Sequence, residues 1–213
     1  MNIEKIIDEA FALYMPQDRY EITELYRFVI DHYNHRKDDQ YNILEIGTKY
    51  GGTFYLWSML NQSSGKNISI DLELGIHGGI DGREMDRRDL WFQERFDNVH
   101  FIQGDSHKEK TSDIFWRYLA IENQKFNYDA KLDFLFIDGD HTYEGVKQDF
   151  YDYVLFCKPN SIVAFHDIND SQKHRDRDVY VSEFWKELVD SGKYETIEFN
   201  SNLDWAGIGV IIV

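Results

Sequence analysis

Acidic residues and histidines follow two apolar stretches of the chain, LDFLFI and SIVAF. The polar residues placed in this way are Asp138, Asp140, His141, His166, Asp167 and Asn169. An unpaired charge beside buried apolar residues is costly, so these side chains are expected to bind one another or a ligand. Two carboxylates joined by an oxygen or imidazole donor can hold a divalent cation. Helix capping and strand-end hydrogen bonds are the alternative, and Asp140 is placed to cap a helix that begins near Tyr143.

A second candidate site is the glycine-rich segment EIGTKYGG at residues 45–52. Gly47, Gly51 and Gly52 allow a tight turn and the close approach of a ligand to the backbone. The spacing differs from the G-x-G-x-x-G dinucleotide fingerprint, and Glu45 precedes the first glycine, which disfavours a pyrophosphate ligand. A carboxylate here suits a cationic or hydroxyl-bearing ligand, and S-adenosylmethionine offers an ammonium, a sulfonium and a ribose. An ordinary strand-to-helix turn is the alternative.

Two further strand ends carry polar residues. Asp71 ends the run NISID, at about the spacing (~20 residues) after the glycine-rich turn at which an acid binds ribose hydroxyls. Gly104, Asp105 and Ser106 follow the run HFIQ, and the acid or the hydroxyl there could contact an adenine. Loop capping and a simple turn remain open for these residues.

The hydrophobic pattern predicts the elements that position these residues. Short apolar or β-branched runs recur from residue 42 onwards: NILEIG, NISID, HFIQGD, LDFLFID, SIVAFHD, YETIEF and GIGVIIV. Continuous apolar runs separated by helix-length segments indicate a parallel α/β sheet covered on both faces. In such sheets ligands bind beyond the carboxyl ends of the strands, which is where the polar residues lie.

Helical spacing is present in the first forty residues, with a break at Pro16, so two helices are expected before the first strand. Further helices are predicted over residues 53–60, 111–123, 143–156 and 181–191. Residues 72–88 and 169–178 lack a regular pattern and are predicted to be loops that contact an acceptor. The chain is predicted to be one domain over residues 1–213, with an N-terminal helical segment over 1–40 and a Rossmann-like core over 41–213.

The composition limits the classes of function. The 213 residues include 23 Lys and Arg against 39 Asp and Glu, a net charge of −16, so neither nucleic acid nor a membrane is expected as a partner. Aromatic residues make up 16% of the chain, which indicates a packed core. Cys157 is the only cysteine, and MNIEKIIDEAF lacks the pattern of a secretory signal, so a cytoplasmic location is expected.

Six pieces of the sequence together resemble a known family. They are ILEIGTKYGG, SID, FIQGDS, FLFIDGDHTYEGVKQDF, IVAFHDI and WAGIGV. They resemble class I S-adenosylmethionine-dependent methyltransferases, near the cephalosporin hydroxylase-like proteins and the macrolide-sugar O-methyltransferases, over about residues 40–213. The resemblance implies an α/β fold with a Rossmann-like seven-stranded sheet, parallel except for its last strand, and helices on both faces.

The resemblance also implies a role for individual residues. In the cofactor site, Glu45, Gly47 and Gly51 would line the methionine end, Asp71 would hold the ribose, and Asp105 with Ser106 would lie near the adenine. In the catalytic site, the resemblance implies Asp138, His166 and Asp167 as metal ligands and His141 as the base, so that Asp138 and His141 are the catalytic residues. The commoner relative has Glu where this chain has His166, which favours Mn²⁺, or no metal, over Mg²⁺.

The leading hypothesis is methyl transfer from S-adenosylmethionine to a hydroxyl of a sugar, glycoconjugate or related small molecule, assisted by Mg or Mn if a metal is bound. A second hypothesis takes His141, His166 and an Asp as a two-His-one-carboxylate iron site of a hydroxylase. A third is a non-catalytic S-adenosylmethionine-binding or scaffold protein, because a fold does not guarantee activity. The partner is expected to be a small-molecule or glycan acceptor, and a homo-oligomer is left open.

Overall fold

The computed structural model describes residues 2–34, 41–62, 65–75, 79–122, 125–127, 129–201 and 205–213. Its helices are α1 (Ile3–Ala12), α2 (Arg19–Asn34), α3 (Gly52–Leu60), α4 (Gly82–Gln93), α5 (Glu109–Ala120), α6 (Tyr143–Tyr153), α7 (Gln172–Arg175) and α8 (Val181–Ser191). Its strands are β1 (Tyr41–Ile46), β2 (Gly65–Asp71), β3 (Val99–Gln103), β4 (Ile121–Glu122), β5 (Lys125–Phe126), β6 (Leu132–Ile137), β7 (Cys157–His166), β8 (Glu195–Phe199) and β9 (Ile208–Ile212). None of the helices described is long and apolar enough to cross a membrane.

Seven of these strands form one sheet in the order β3-β2-β1-β6-β7-β9-β8, and β4 pairs with β5 in a separate hairpin. Strands β3, β2, β1, β6 and β7 pair in parallel, whereas β9 runs antiparallel to both of its neighbours. The prediction of a seven-stranded, mostly parallel sheet is therefore confirmed. The strand order reverses between β1 and β6, because β2 and β3 lie on one side of this pair and β7 lies on the other. In open α/β sheets ligands bind in the crevice at the carboxyl ends of the two strands where the order reverses.

Both faces of the sheet are covered, which explains the continuous apolar runs. Along β6, Phe134 and Phe136 pack in a cluster with helices α1 to α4, whereas Leu135 and Ile137 pack in a second cluster with α5, α6 and α8. Neighbouring side chains of a strand point to opposite faces, so a strand between two helical layers needs apolar residues at every position. The prediction of helices on both faces, with two at the N-terminus, is confirmed.

Parts of the two predicted loops form helices. Helix α4 lies within and beyond the predicted loop 72–88, and the single turn of α7 lies within the predicted loop 169–178. Asp81 caps α4 by accepting hydrogen bonds from the backbone of Arg83 and Glu84. The buried face of α4 carries Arg88 and Asp89, which form an ion pair, beside its apolar residues. Because these two buried residues are charged, the sequence of α4 lacks the apolar period of a helix.

Two other helices end earlier than predicted. Helix α5 ends at Ala120, where β4 begins, and residue 123 of the predicted helix lies outside the described residues. Helix α6 ends at Tyr153 and continues as a short 3₁₀ turn, Val154–Phe156. Such tightening of the last turn is common at helix ends.

Candidate functional site

A cavity of about 1070 Å³ lies along the carboxyl ends of the parallel strands. One end is bordered by the glycine-rich turn after β1, by Asp71 of β2 and by Gly104 after β3. The other end is bordered by the residues that follow β6 and β7. The loop between α1 and α2 and the side chain of Trp205 complete the wall. The strand ends that the sequence singled out thus border one continuous cavity.

The glycine-rich turn needs glycine for reasons of space. Gly47 has φ +90°, and a Cβ atom there would lie 2.0 Å from the carbonyl oxygen of Asp138. Gly51 also has φ +90°, and a Cβ atom there would lie 2.6 Å from the Phe92 ring of α4. Gly47 borders the cavity, whereas Gly51 packs towards α4. These two residues therefore let β1 turn closely against β6 and α4.

Glu45 lies beneath this turn, outside the residues that line the cavity. Its side chain is fully buried, and Thr53 Oγ1 donates a hydrogen bond to its Oε1 at 2.8 Å. Burial raises the pKa of Glu45 to about 8, and the nearby Asp138 carboxylate adds to the effect. The carboxyl group is therefore largely protonated at neutral pH, which reduces the cost of enclosing it.

Asp71 borders the cavity at the end of β2 and is held by several hydrogen bonds. The backbone N–H of Lys49 donates to its Oδ2 at 2.9 Å, and that of Leu72 donates to its Oδ1 at 3.1 Å. The Arg88 guanidinium of α4 pairs with Oδ2 and also binds Asp89 at 2.8 Å. Burial raises the pKa of Asp71, and Arg88 opposes that rise. Helix α4 therefore orients this carboxylate.

Asp105 and Ser106 border the cavity after β3. Asp105 accepts a hydrogen bond from the backbone of His107 at 2.9 Å, and the carbonyl oxygen of Ser106 accepts one from the Tyr153 hydroxyl at 2.9 Å. His107 also lines the cavity, with Nε2 3.1 Å from Oδ1 of buried Asp149. These contacts fix the loop, so its position is set by α6.

Three imidazoles surround two carboxylates at the other end of the cavity, and we name these residues the acid–histidine cluster. Its members are Asp138, His141, His166, Asp167 and His174. His141 Nδ1 lies 2.7 Å from Oδ2 of Asp167. His166 Nδ1 lies 3.1 Å from Oδ1 of Asp138 and 3.2 Å from Oδ1 of Asp167. The residues predicted for the metal site and for the base are thus brought together by β6 and β7.

The charges of the cluster stabilise one another. Burial lowers the pKa of His166, but the carboxylates of Asp167 and Asp138 outweigh it and hold that pKa well above its usual value. The pKa of His141 is also raised, because the same two carboxylates outweigh the effect of burial. Burial raises the pKa of Asp167, but the imidazoles hold it well below its usual value. These three pKa shifts therefore favour charged imidazoles of His141 and His166 beside a charged Asp167 carboxylate.

The cluster contains a set of groups able to bind a cation. Asp138, His141 and Asp167 each offer one ligand atom, and these atoms lie within 4.8 Å of one another. Nε2 of His166 is buried and makes no hydrogen bond with a described residue, whereas Nδ1 faces the two carboxylates. Unpaired buried nitrogen beside two carboxylates fits a first-row transition cation such as Mn²⁺ better than Mg²⁺, which prefers oxygen ligands.

Two members of the site were missed by the sequence analysis. Gln17, in the loop between α1 and α2, donates from Nε2 to Oδ2 of Asp138 at 2.8 Å. His174 of α7 lies with Nε2 3.3 Å from Oδ1 of Asp167. No local pattern marks either residue, because one follows Pro16 in a loop and the other lies in a charged segment.

Two polar residues of the same strand ends have structural contacts. Asp140 accepts a hydrogen bond from the backbone of Thr142 at 2.9 Å, and Thr142 is the residue that caps α6. Asn169 exchanges hydrogen bonds with Asn200, the closer at 2.8 Å. These contacts tie the loops after β6 and β7 to their surroundings.

The sequence is similar to those of known proteins. Residues 44–168 match the sequence model of a family described as "Methyltransferase domain". The uncharacterized protein y4gI of Sinorhizobium fredii (strain NBRC 101917 / NGR234) is 25% identical over 151 residues, which are 69% of this chain and 15% of that protein. The chain thus spans only a small part of this curated relative.

Solved structures give the same fold. An O-methyltransferase from Bacillus cereus in complex with S-adenosylhomocysteine has a TM-score of 0.59 at 17% identity, over 99% of this chain and 90% of that one. The MycE methyltransferase from the mycinamycin biosynthetic pathway, in complex with Mg and S-adenosylhomocysteine, has a TM-score of 0.59 at 15% identity, over 99% of this chain and 54% of that one. Because the family match covers more than half of the chain, this protein belongs to the methyltransferase domain family and has the class I methyltransferase fold.

Proposed function

We propose that this protein transfers a methyl group from S-adenosylmethionine to a hydroxyl oxygen of a sugar, glycoconjugate or related small molecule. The observation that carries the proposal is the single cavity that joins the glycine-rich turn and Asp71 at one end to the acid–histidine cluster at the other. A volume of about 1070 Å³ is sufficient for a nucleoside cofactor and a small acceptor. The Bacillus cereus and MycE structures, which contain S-adenosylhomocysteine, support this choice of cofactor.

The cofactor half of the cavity suits an adenosyl group with an amino-acid tail. Asp71, which accepts backbone hydrogen bonds and faces the cavity, is placed to accept the ribose hydroxyls. Asp105 and Ser106 are assigned to the adenine, and the turn shaped by Glu45, Gly47 and Gly51 to the methionine end. When bound, S-adenosylmethionine supplies an electrophilic methyl group on a sulfonium.

The acceptor half of the cavity suits removal of a hydroxyl proton. His141 lines the cavity, with Nδ1 2.7 Å from Oδ2 of Asp167 and Nε2 3.7 Å from Oδ1 of Asp138, and we assign to Nε2 the proton of the acceptor. The Asp167 carboxylate would stabilise the imidazolium that forms when Nε2 takes the proton. The enclosing wall excludes water and holds the acceptor oxygen in line with the methyl group.

The cluster also has the donors for a divalent cation. Asp138 and Asp167 would supply oxygen ligands and His166 a nitrogen ligand, which would leave His141 for the proton. A cation there would orient the acceptor and lower the pKa of its hydroxyl. The mixed donors favour Mn²⁺ over Mg²⁺.

Turnover on a panel of glycosides and catechols, followed as release of S-adenosylhomocysteine, tests this proposal. The expected result is methylation of a hydroxyl in at least one class, with loss of the rate on chelation and better recovery with Mn²⁺ than with Mg²⁺. Unchanged turnover with a chelator would remove the metal from the mechanism. Turnover of 2-oxoglutarate with bound iron, in place of methyl transfer, would favour the hydroxylase instead.

A further inference from the structure

The acceptor end of the cavity carries two positive side chains that have no carboxylate partner among the described residues. Lys173 and Arg177 both line the cavity, on the same side as His174 of the acid–histidine cluster. Among the residues that the structure describes, neither makes an ion pair. The chain as a whole has a net charge of −16, with 39 acidic residues available to pair with 23 basic ones. Two cations without an ion pair in the described part of so acidic a chain therefore stand out at this rim.

The three basic residues of this segment differ in their ion pairs with described residues. Arg175, on the same short helix, pairs with Asp170, and both of these side chains are solvent-exposed. Lys173 and Arg177 are four positions apart along α7 and the turn that continues it, so they lie on one side of the segment. Like charges at this spacing destabilise a helical turn unless an anion lies between them.

Buried His174 fixes the position of this segment. The backbone N–H of Ala206 donates to its Nε2 at 3.2 Å, so the ring proton is on Nδ1, which lies 2.7 Å from the carbonyl oxygen of Asn169. Trp205, next to Ala206, lies under Lys173 with its ring centroid 4.1 Å from Nζ. Lys173 is thus held at the rim over a flat aromatic surface.

The charged groups inside this end of the cavity, unlike those at its rim, have charged partners among the described residues. Oδ2 of Asp138 is occupied by Gln17 Nε2, and the Asp167 carboxylate is surrounded by imidazoles. The charged groups of the interior are thus paired with one another, whereas Lys173 and Arg177 at the rim make no ion pair with a described residue. A molecule that enters with its hydroxyl inwards therefore places any anionic group towards the rim.

We infer that the acceptor carries an anionic group, a carboxylate or a phosphate, which Lys173 and Arg177 bind while its hydroxyl lies at the acid–histidine cluster. This inference rests on the proposed function and specifies the class of its substrate. The face of the Trp205 ring holds the Lys173 ammonium in place for this contact.

The test measures binding of three matched probes to the protein saturated with S-adenosylhomocysteine. The probes are methyl α-D-glucopyranoside, D-glucuronate and D-glucose 6-phosphate, titrated at low and at physiological salt. The expected result is that one anionic probe binds at least about tenfold tighter than the neutral glycoside, and that salt reduces the difference. The anion that binds tighter identifies the group as a carboxylate or a phosphate.

The double variant Lys173→Gln/Arg177→Gln should abolish this preference without changing the affinity for S-adenosylhomocysteine. The control Arg175→Gln/Lys186→Gln removes the same charge from side chains that pair with Asp170 and Asp190, and should retain the preference. Equal or absent binding of the probes, a preference that survives in the double variant, or the same loss in the control would each overturn the inference. Failure of S-adenosylhomocysteine to bind is a separate result that overturns the proposed function, and the inference with it.

Discussion

Gln17 Nε2 donates a hydrogen bond to Oδ2 of Asp138 at 2.8 Å across 121 positions of sequence. Gln17 precedes residues 44–168, which match the methyltransferase family. The N-terminal segment therefore contributes a side chain to a site whose Asp138 lies within the family region. The bond leaves Oδ1 of Asp138 directed at the imidazole of His166, 3.1 Å away. Gln17 therefore positions this carboxylate.

Gln17→Ala should lower kcat about ten- to a hundredfold, because a hydrogen bond to a charged group contributes roughly 1.5 to 3 kcal/mol. The affinity for S-adenosylhomocysteine should not change, since Gln17 borders the acceptor end. Steady-state kinetics and calorimetry measure the two effects. Gln62→Ala, on an exposed glutamine that hydrogen-bonds Met59 and does not line the cavity, is the control. A normal kcat in Gln17→Ala would contradict the positioning role.

Asp71→Asn should weaken S-adenosylhomocysteine binding at least about tenfold, because an amide satisfies the ribose hydroxyls only in part. Asn is the sharper substitution, because its amide oxygen can still accept from the buried Arg88, whereas Ala would leave that guanidinium without an acceptor there, at a cost of about 3 kcal/mol in stability. Asp89→Asn is a matched control, since Asp89 also binds Arg88 but does not line the cavity. It should lower the melting temperature and leave the affinity intact. Equal affinities in the two variants would place the ribose elsewhere.

His141→Ala should lower kcat by about 10²–10⁴-fold, with little effect on cofactor affinity. Only neutral imidazole accepts a proton, and the carboxylates of Asp167 and Asp138 outweigh burial to raise the pKa of His141. The rate should therefore rise with pH through a value above ~6.5, the ordinary pKa of histidine. The pH–rate profile checks this, together with the melting temperature of the variant. A stable variant with near-normal kcat rules out the base assignment.

His107 gives a prediction for stability. Its bond to Asp149 is the largest effect that raises the pKa of His107, to about 9, above the ~6.5 of an unfolded chain. A raised histidine pKa stabilises the fold fully below pH ~6.5, and the contribution is lost as pH rises through about 9. His107→Gln should therefore cost about 1 to 3 kcal/mol at pH 6 and much less at pH 10. Urea unfolding at both pH values measures the difference, and His32→Gln, whose ring contacts a backbone carbonyl, is the control. A cost independent of pH would contradict the ion pair.

The sheet could be predicted because its strands are buried on both faces and therefore carry mostly apolar residues. Strand β6, for example, is buried at all six positions. The polar residues that end β1, β2, β6 and β7 could be found for the same reason, since they stand out against these apolar runs. Parallel pairing then places them at one edge of the sheet.

What the sequence did not predict depends on contacts between distant segments. Helix α4 buries Arg88 and Asp89 next to Met85 and Phe92, so its buried face does not have an apolar period. Asp81, followed three positions later by Glu84, was the local signal that a helix begins there. Gln17 and His174 belong to the site only because they contact carboxylates that are distant in the sequence. No spacing along the chain predicts such a contact.

Calorimetric titration of the wild-type protein with S-adenosylhomocysteine tests the central claim most directly, because it needs neither the acceptor nor a metal. The account predicts saturable binding at one site per chain, with no binding of 2-oxoglutarate under the same conditions. No detectable binding of S-adenosylhomocysteine at millimolar concentration, or binding that persists unchanged in Asp71→Asn, would contradict the assignment of the cavity as a methyl-donor site.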